Sequence, residues 1–68
     1  MSDKLGNRLK ERRSELGLTQ AELAERCAVS RKTINTVENG VFVPSTVLAL
    51  RLAAALERPV EELFWLAD

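Results

Sequence analysis

The chain has 68 residues, with ten basic and ten acidic side chains, a net charge of zero and a pI near 6.3. So short a chain predicts one domain, residues 1–68, because it buries only about 60% of its unfolded surface. One cysteine excludes an intramolecular disulfide, and the lack of histidine argues against a metal site. No apolar run reaches the roughly 18 residues of a membrane helix, and no signal peptide opens the chain. We therefore expect a cytoplasmic protein without a metal or cofactor.

The first predicted helix runs from Asp3 to Leu16. Leu5 and Leu9 share its apolar stripe with Leu16, and Gly17 follows as a C-terminal stop.

One arginine of this helix points toward the core. Arg13 lies four residues after Leu9 and three before Leu16, which places it on the apolar side. A buried charge is too costly to keep without a partner, so we predict an ion pair with Glu38.

Two hydroxyl residues predict the starts of the next helices, Gln20–Cys27 and Arg31–Asn39. Thr19 and Ser30 can each accept a hydrogen bond from the first turn that follows, and Glu22 completes a capping box with Thr19. The corner between these helices is too short for anything but a tight turn. Such a pair forms a helix-turn-helix unit, whose second helix can enter the major groove of DNA.

The corner itself contains Ala28, where the chain often needs a positive φ. Glycine adopts that conformation at least cost, and alanine there costs about 1 kcal/mol or more. The preceding Cys27 continues the apolar series of its helix, so we interpret it as a small core residue and not as a reactive thiol.

The third helix buries Ile34 and Val37, which leaves four polar side chains on its opposite side: Arg31, Lys32, Asn35 and Thr36. Arginine and lysine suit guanine, asparagine suits adenine, and a threonine methyl suits thymine. No acid lies between residues 30 and 37, so this helix is locally positive. The alternative is an ordinary solvated helix face.

Gln20 begins the second helix, where its amide and the free backbone amides can together hold a phosphate. The alternative is again a solvated surface residue.

The C-terminal third is strongly apolar. After Gly40 and an apolar loop, Val41–Pro44, the helix Thr46–Leu56 carries one charge, and a last helix is predicted over Val60–Leu66. This surface is too large to stay exposed on a monomer. We predict a twofold homodimer through Phe42, Leu48, Leu63, Phe64, Trp65 and Leu66. The alternative is that these residues close the core of a single chain.

The stretches LGLTQAELA, SRKTI and VENG, together with the ending ALxxxVEELF, resemble the lambda-repressor-like, or XRE-type, helix-turn-helix transcriptional regulators. The resemblance covers Leu5 to Phe64. It implies a compact five-helix, all-α DNA-binding domain, with the helix-turn-helix at helices 2 and 3, that binds operator DNA as a dimer.

By position, the resemblance implies that Gln20 and Asn39 contact phosphates and that Ser30 lies at the edge of the groove. It also implies that Arg31, Lys32, Asn35 and Thr36 read bases, and it pairs Arg13 with Glu38. The chain departs from the family at three places: Ala28 and Glu57 replace glycines, which predicts a different end for the fourth helix, and Val41–Phe42 replaces a basic loop.

We therefore expect a repressor or autoregulator that binds a palindromic operator in double-stranded DNA as a homodimer, at the nucleoid in the cytoplasm. No small-molecule ligand, membrane partner or enzymatic activity is expected, because the chain lacks histidine and tyrosine and its one cysteine is predicted to be buried. The alternative is an antitoxin-like protein-interaction module that binds DNA secondarily.

Overall fold

The structure, a computed structural model, describes residues 4–67, so the predicted helix start at Asp3 lies outside the described residues. These residues form five helices between two short terminal strands: β1 Lys4–Asn7, α1 Leu9–Glu15, α2 Gln20–Cys27, α3 Arg31–Glu38, α4 Thr46–Leu56, α5 Val60–Leu63 and β2 Phe64–Ala67.

The three central helices begin where their caps predict. The hydroxyls of Thr19, Ser30 and Ser45 each accept a hydrogen bond from the amide three residues later, and Thr19 forms the full capping box with Glu22. α2 and α4 have the predicted bounds, and α3 ends one residue early, with Asn39 as its C-cap.

Both ends of the chain differ from the prediction, because the expected first and last helices are too long. Lys4–Asn7 and Phe64–Ala67 are antiparallel strands, with Leu5 opposite Leu66 and Gly6 opposite Trp65. The all-α prediction is therefore approximate, since a two-stranded sheet closes the domain.

Asn7 is the last residue of β1 and lies two residues before the start of α1. Its Oδ1 accepts a hydrogen bond from the Leu9 amide at 3.1 Å, an Asx turn that leads into α1. Its Nδ2 donates to the carbonyl oxygen of Val37 at 3.1 Å and so ties β1 to α3. Glycine at position 6 also disfavours a helix that would begin earlier.

The core consists of twelve buried apolar residues from all five helices, the α1–α2 loop and β2: Leu9, Leu18, Leu23, Ala24, Cys27, Ile34, Val37, Leu48, Leu52, Leu56, Leu63 and Phe64. Leu48, Leu63 and Phe64 were predicted in a dimer interface, but at most 7% of each is exposed on the single chain. They close the core of one chain, as the alternative interpretation proposed for them.

Two helices end in the left-handed conformation without a glycine. Ala28 ends α2 at φ 57°, as the tight corner predicts. Glu57 ends α4, also at φ 57°. The end of α4 therefore has the shape that glycine normally supplies, and the expectation of a different end was wrong.

Two arginines tie helix C-termini across the core. Arg12 Nε donates to the carbonyl oxygen of Leu56 at 2.8 Å, and Arg51 Nη1 donates to that of Cys27 at 3.4 Å. A positive side chain at a helix C-terminus satisfies free carbonyl groups and complements the helix dipole.

Candidate nucleic-acid interface

The outer face of α3 collects the four predicted base-reading side chains. Ile34 and Val37 are at most 1% exposed and anchor the inner face of α3 in the core. Arg31, Lys32 and Asn35 are exposed on the other side, and Thr36 is half-buried. The first turn of α3 contains no acidic residue, which leaves this end of the helix positive.

Ser30 stands at the start of α3, where the resemblance implies the edge of a DNA groove. Its hydroxyl accepts a hydrogen bond from the Thr33 amide at 3.1 Å and lies 2.9 Å from the Thr33 hydroxyl. The Ser30 side chain is thus engaged in capping α3.

The predicted partners Arg13 and Glu38 form a nearly buried ion pair. Arg13 Nε lies 2.7 Å from Glu38 Oε2, and Arg13 Nη2 lies 3.2 Å from Oε1. The side chains are only 11% and 3% exposed. Hydrogen bonding to Glu38 raises the pKa of the Arg13 guanidinium above its ordinary value. A third hydrogen bond, from Arg13 Nη1 to the Leu18 carbonyl at 2.9 Å, fixes the α1–α2 loop.

Gln20 extends this pair toward the outer face of α3. Its Nε2 donates to Glu38 Oε1 at 3.1 Å and to Asn35 Oδ1 at 3.2 Å. Asn39 approaches from the other side, where its Nδ2 donates to the Asn35 carbonyl at 2.8 Å and to Asn35 Oδ1 at 3.1 Å. Gln20 and Asn39 therefore hold Asn35 between them.

This arrangement engages the Gln20 and Asn39 side chains, which are predicted to contact phosphates, within the protein. Each NH₂ group has two hydrogens, and both are shared with protein acceptors. Each of the two nitrogens therefore lies within hydrogen-bonding distance of two protein acceptors, and their contact with phosphates stays a prediction. The start of α2 also has backbone amides that lack an intrahelical acceptor, although the Glu22 amide is already capped by the Thr19 hydroxyl.

The loop after α3 lies against the same face. The amides of Val41 and Phe42 donate to the Thr36 carbonyl at 2.9 and 3.2 Å, which folds the loop back onto α3. With Lys32 and Thr33, these residues line a shallow cleft of about 320 Å³. The sequence placed Phe42 in a dimer interface, and it gave no role to Thr33 or Val41 beside α3.

The signal for this fold-back was weak in the sequence. The sequence indicates only a helix stop at Gly40, whereas the φ of this residue, 73°, reverses the chain. The Thr36 hydroxyl also donates to the Thr33 carbonyl at 2.9 Å, a bond that side-chain spacing alone does not reveal.

Residues 4–66 match the family described as a helix-turn-helix domain. The chain belongs to this family. It is 52% identical over 61 residues to an uncharacterised helix-turn-helix-type transcriptional regulator of Methanothermobacter thermautotrophicus, a match that covers 88% of each chain. It is 39% identical over 62 residues to the regulator YgzD of Bacillus subtilis, with 91% of this chain and 94% of YgzD covered.

Among solved structures, the fold is similar to that of the restriction-modification controller protein C.AhdI from Aeromonas hydrophila. The TM-score is 0.75 at 37% identity, over 79% of this chain and 82% of C.AhdI. These matches show that the chain is a helix-turn-helix transcriptional regulator of the XRE type, as the sequence motifs indicate.

Three further observations on residues 4–67 concern metal ions, membranes and the single cysteine. Residues 4–67 contain no cluster of three or more side chains that could bind a metal ion. Within the same range, no helix has both the length and the apolar character to cross a membrane. Cys27 is fully buried, and burial raises the pKa of its thiol, so the thiol is not activated.

Proposed function

We propose that this regulator binds double-stranded DNA sequence-specifically, with α3 in the major groove, and represses transcription as a homodimer on a palindromic operator. The observation that carries the proposal is the outer face of α3. Arg31, Lys32 and Asn35 are exposed there on a helix that the Arg13–Glu38 pair locks to the rest of the domain.

The homodimer follows from how little one copy can contribute to DNA binding. Its net charge is zero, so the chain as a whole is not attracted to the DNA polyanion, and only its local basic side chains favour binding. An eight-residue α3 is only about 12 Å long and reaches a few base pairs. Two linked copies on two half-sites about 34 Å apart would convert weak single contacts into tight binding.

The surface proposed for the second copy is an exposed apolar face beside α4 and the terminal strands. Val43, Val47, Leu50 and Leu66 are each between 59% and 78% exposed. Leu50 and Val43 also line an apolar groove of about 450 Å³ that reaches Phe64. Leu66 lies opposite Leu5 in the sheet, and Leu5 lines the same groove as Val43 and Leu50. Exposed apolar surface of this kind is typical of an interface. A second copy fits best, because a palindrome requires twofold pairing.

One pair of experiments tests both parts of the proposal. Selection from random duplexes should return an inverted repeat, and light scattering should give twice the chain mass. Leu66→Glu should give a monomer with much weaker operator binding, whereas Ser14→Glu, which adds the same charge at an exposed position on α1, should change neither. A selection that enriches no sequence, or a Leu66→Glu variant of unchanged dimeric mass, would contradict the proposal.

The second candidate is a protein-interaction module with secondary DNA binding. The same apolar face and the zero net charge favour it. Its distinguishing result would be a monomeric purified chain that forms a stoichiometric complex with a different protein and loses that complex in Leu66→Glu.

A further inference from the structure

We propose that Asn35 offers only hydrogen-bond donors to the major groove and therefore selects guanine, not the adenine that asparagine commonly reads. This inference rests on the proposed binding of α3 to DNA. It concerns one side chain and the hydrogen bonds that orient it.

The orientation of the Gln20 amide is fixed by Glu38, whose carboxylate already accepts two hydrogen bonds from Arg13. An ionised carboxylate can only accept. The Gln20 atom 3.1 Å from Oε1 must therefore be its NH₂ nitrogen, which fixes the orientation of the Gln20 amide.

Asn39 is fixed in the same way from the other side. Its side chain lies 2.8 Å from the backbone carbonyl oxygen of Asn35, which can only accept. The group that approaches this oxygen must again be an NH₂.

Each of these NH₂ groups has a second hydrogen, and the same acceptor atom lies within hydrogen-bonding distance of both nitrogens. Asn35 Oδ1 lies 3.2 Å from Gln20 Nε2 and 3.1 Å from Asn39 Nδ2. The opposite orientation of Asn35 would set its own NH₂ against two N–H groups. Both lone pairs of Oδ1 are therefore used, and the exposed end of Asn35 is its Nδ2.

The base preference follows from this polarity. A bidentate contact to adenine needs Oδ1 to accept from N6 while Nδ2 donates to N7, and Oδ1 is already engaged. Guanine presents two acceptors, N7 and O6, which an NH₂ group can meet, whereas adenine (N7) and thymine (O4) each present only one. Cytosine presents its N4 donor, which cannot accept a hydrogen bond from Asn35 Nδ2, so cytosine is disfavoured. The expectation of adenine from residue type alone is thus replaced by guanine.

The test is to determine which operator position Asn35 controls and which base it prefers there. Selection with the wild type and with Asn35→Ala identifies the position where preference is lost. Affinities for operators that differ only at that base pair should favour guanine over adenine by about 10-fold, within the range typical of one good base contact.

The Asn35→Asp variant provides a sharper test. The aspartate is nearly isosteric, so one oxygen can still accept from Gln20 and Asn39 while the other replaces the outward NH₂. The preference at this position should change to cytosine, whose major-groove edge presents a donor without the acceptor N7 that adenine places beside its own donor. The added negative charge lowers affinity for all operators. Lys10→Glu on α1 makes the net charge still more negative and should leave the base preference unchanged.

Gln20→Met supplies an independent arm, because it removes one of the two donors to Oδ1. The guanine-to-adenine ratio should fall by about fivefold or more while thermal unfolding shows a folded protein. A wild type that prefers adenine, or an Asn35→Asp variant that keeps the wild-type preference, would overturn the inference while leaving DNA binding intact. A wild type that enriches no sequence would overturn the proposed function and this inference with it.

Discussion

Arg13 and Glu38 join α1 to α3 through two hydrogen bonds, of 2.7 and 3.2 Å, that are almost closed to water. The same Glu38 carboxylate accepts from Gln20, which in turn holds Asn35. The ion pair therefore supports the fold and orients the proposed reading face together.

Arg13→Met should destabilise the protein by about 3–5 kcal/mol, because it leaves a buried carboxylate without its partner. That loss approaches the whole stability of a small domain, so much of the protein should be unfolded at 37 °C. Urea unfolding followed by circular dichroism measures it. Glu15→Ala in the exposed Arg12–Glu15 pair is the control and should cost less than about 1 kcal/mol.

A double variant, Arg13→Met with Glu38→Leu, separates the loss of the pair from the burial of an unpaired charge. It should recover part of the stability that Arg13→Met loses, since no charge then stays buried alone. An Arg13→Met variant within about 1 kcal/mol of the wild type would refute the buried-charge argument.

Ala28→Gly and Glu57→Gly should each stabilise the protein by about 0.5–1 kcal/mol. The left-handed conformation costs a non-glycine residue about 1–2 kcal/mol, and the added freedom of glycine in the unfolded chain offsets part of that gain. Calorimetry should show a melting temperature several degrees higher. Ala54→Gly, at an exposed right-handed position of α4, is the matched control and should destabilise by up to about 1 kcal/mol. Equal effects at all three positions would contradict the explanation.

Gly6→Ala should destabilise the terminal sheet by about 1–3 kcal/mol through overpacking. A Cβ at Gly6 would lie 2.6 Å from Cε2 of Trp65 and closer still to Nε1, so the indole must move. The displaced ring would also move away from the Arg8 guanidinium, which lies 5.0 Å from the centroid of the Trp65 ring. Urea unfolding measures the loss of stability, and a red-shifted tryptophan emission reports the displaced ring.

The effect of Gly6→Ala should almost vanish in a Trp65→Ala background, because the clashing ring is then absent. An undiminished cost in that background would show that the strain comes from the backbone of the strand and not from the indole.

Glu22 should make stability depend on pH in the acid range. Its hydrogen bond from the Thr19 amide lowers the pKa of the Glu22 carboxyl below its usual 4.5. Because the folded pKa is lowered, the contribution is complete above the usual value and is lost as the pH falls through the folded pKa. Glu22→Gln keeps a capping group that does not titrate. Thermal unfolding between pH 7 and pH 3 should therefore show a smaller loss of stability in Glu22→Gln, and parallel pH profiles would refute the role of Glu22.

Arg31→Ala should weaken operator binding by about 1–3 kcal/mol and relax specificity at one base position, as expected for a direct base contact. Lys10→Ala removes the same charge from α1 and serves as the control. Fluorescence anisotropy on operators varied one base at a time measures both. Equal weakening on every sequence would show that Arg31 contacts only the backbone of the DNA.

The central helices could be predicted closely from sequence because their signals are local. Thr19, Ser30 and Ser45 each bond an amide three residues away, so a helix start is visible within a few letters. Apolar spacing on α3 then places Ile34 inside and Asn35 outside. The Arg13–Glu38 pair was also predictable, since a charge on an apolar stripe requires a partner of opposite sign.

The ends of the chain and the polarity of the proposed reading face depend on tertiary structure alone. The pairing of Gly6 with Trp65 joins segments that are about as far apart in sequence as the chain allows, and no local sequence pattern predicts it. Whether Leu63 is core or surface depends on what covers it, which is a collective property of the packed domain. The direction of the Asn35 amide depends on donors from two other elements, so residue type indicated that α3 could read a base, and only the assembled hydrogen bonds indicated which one.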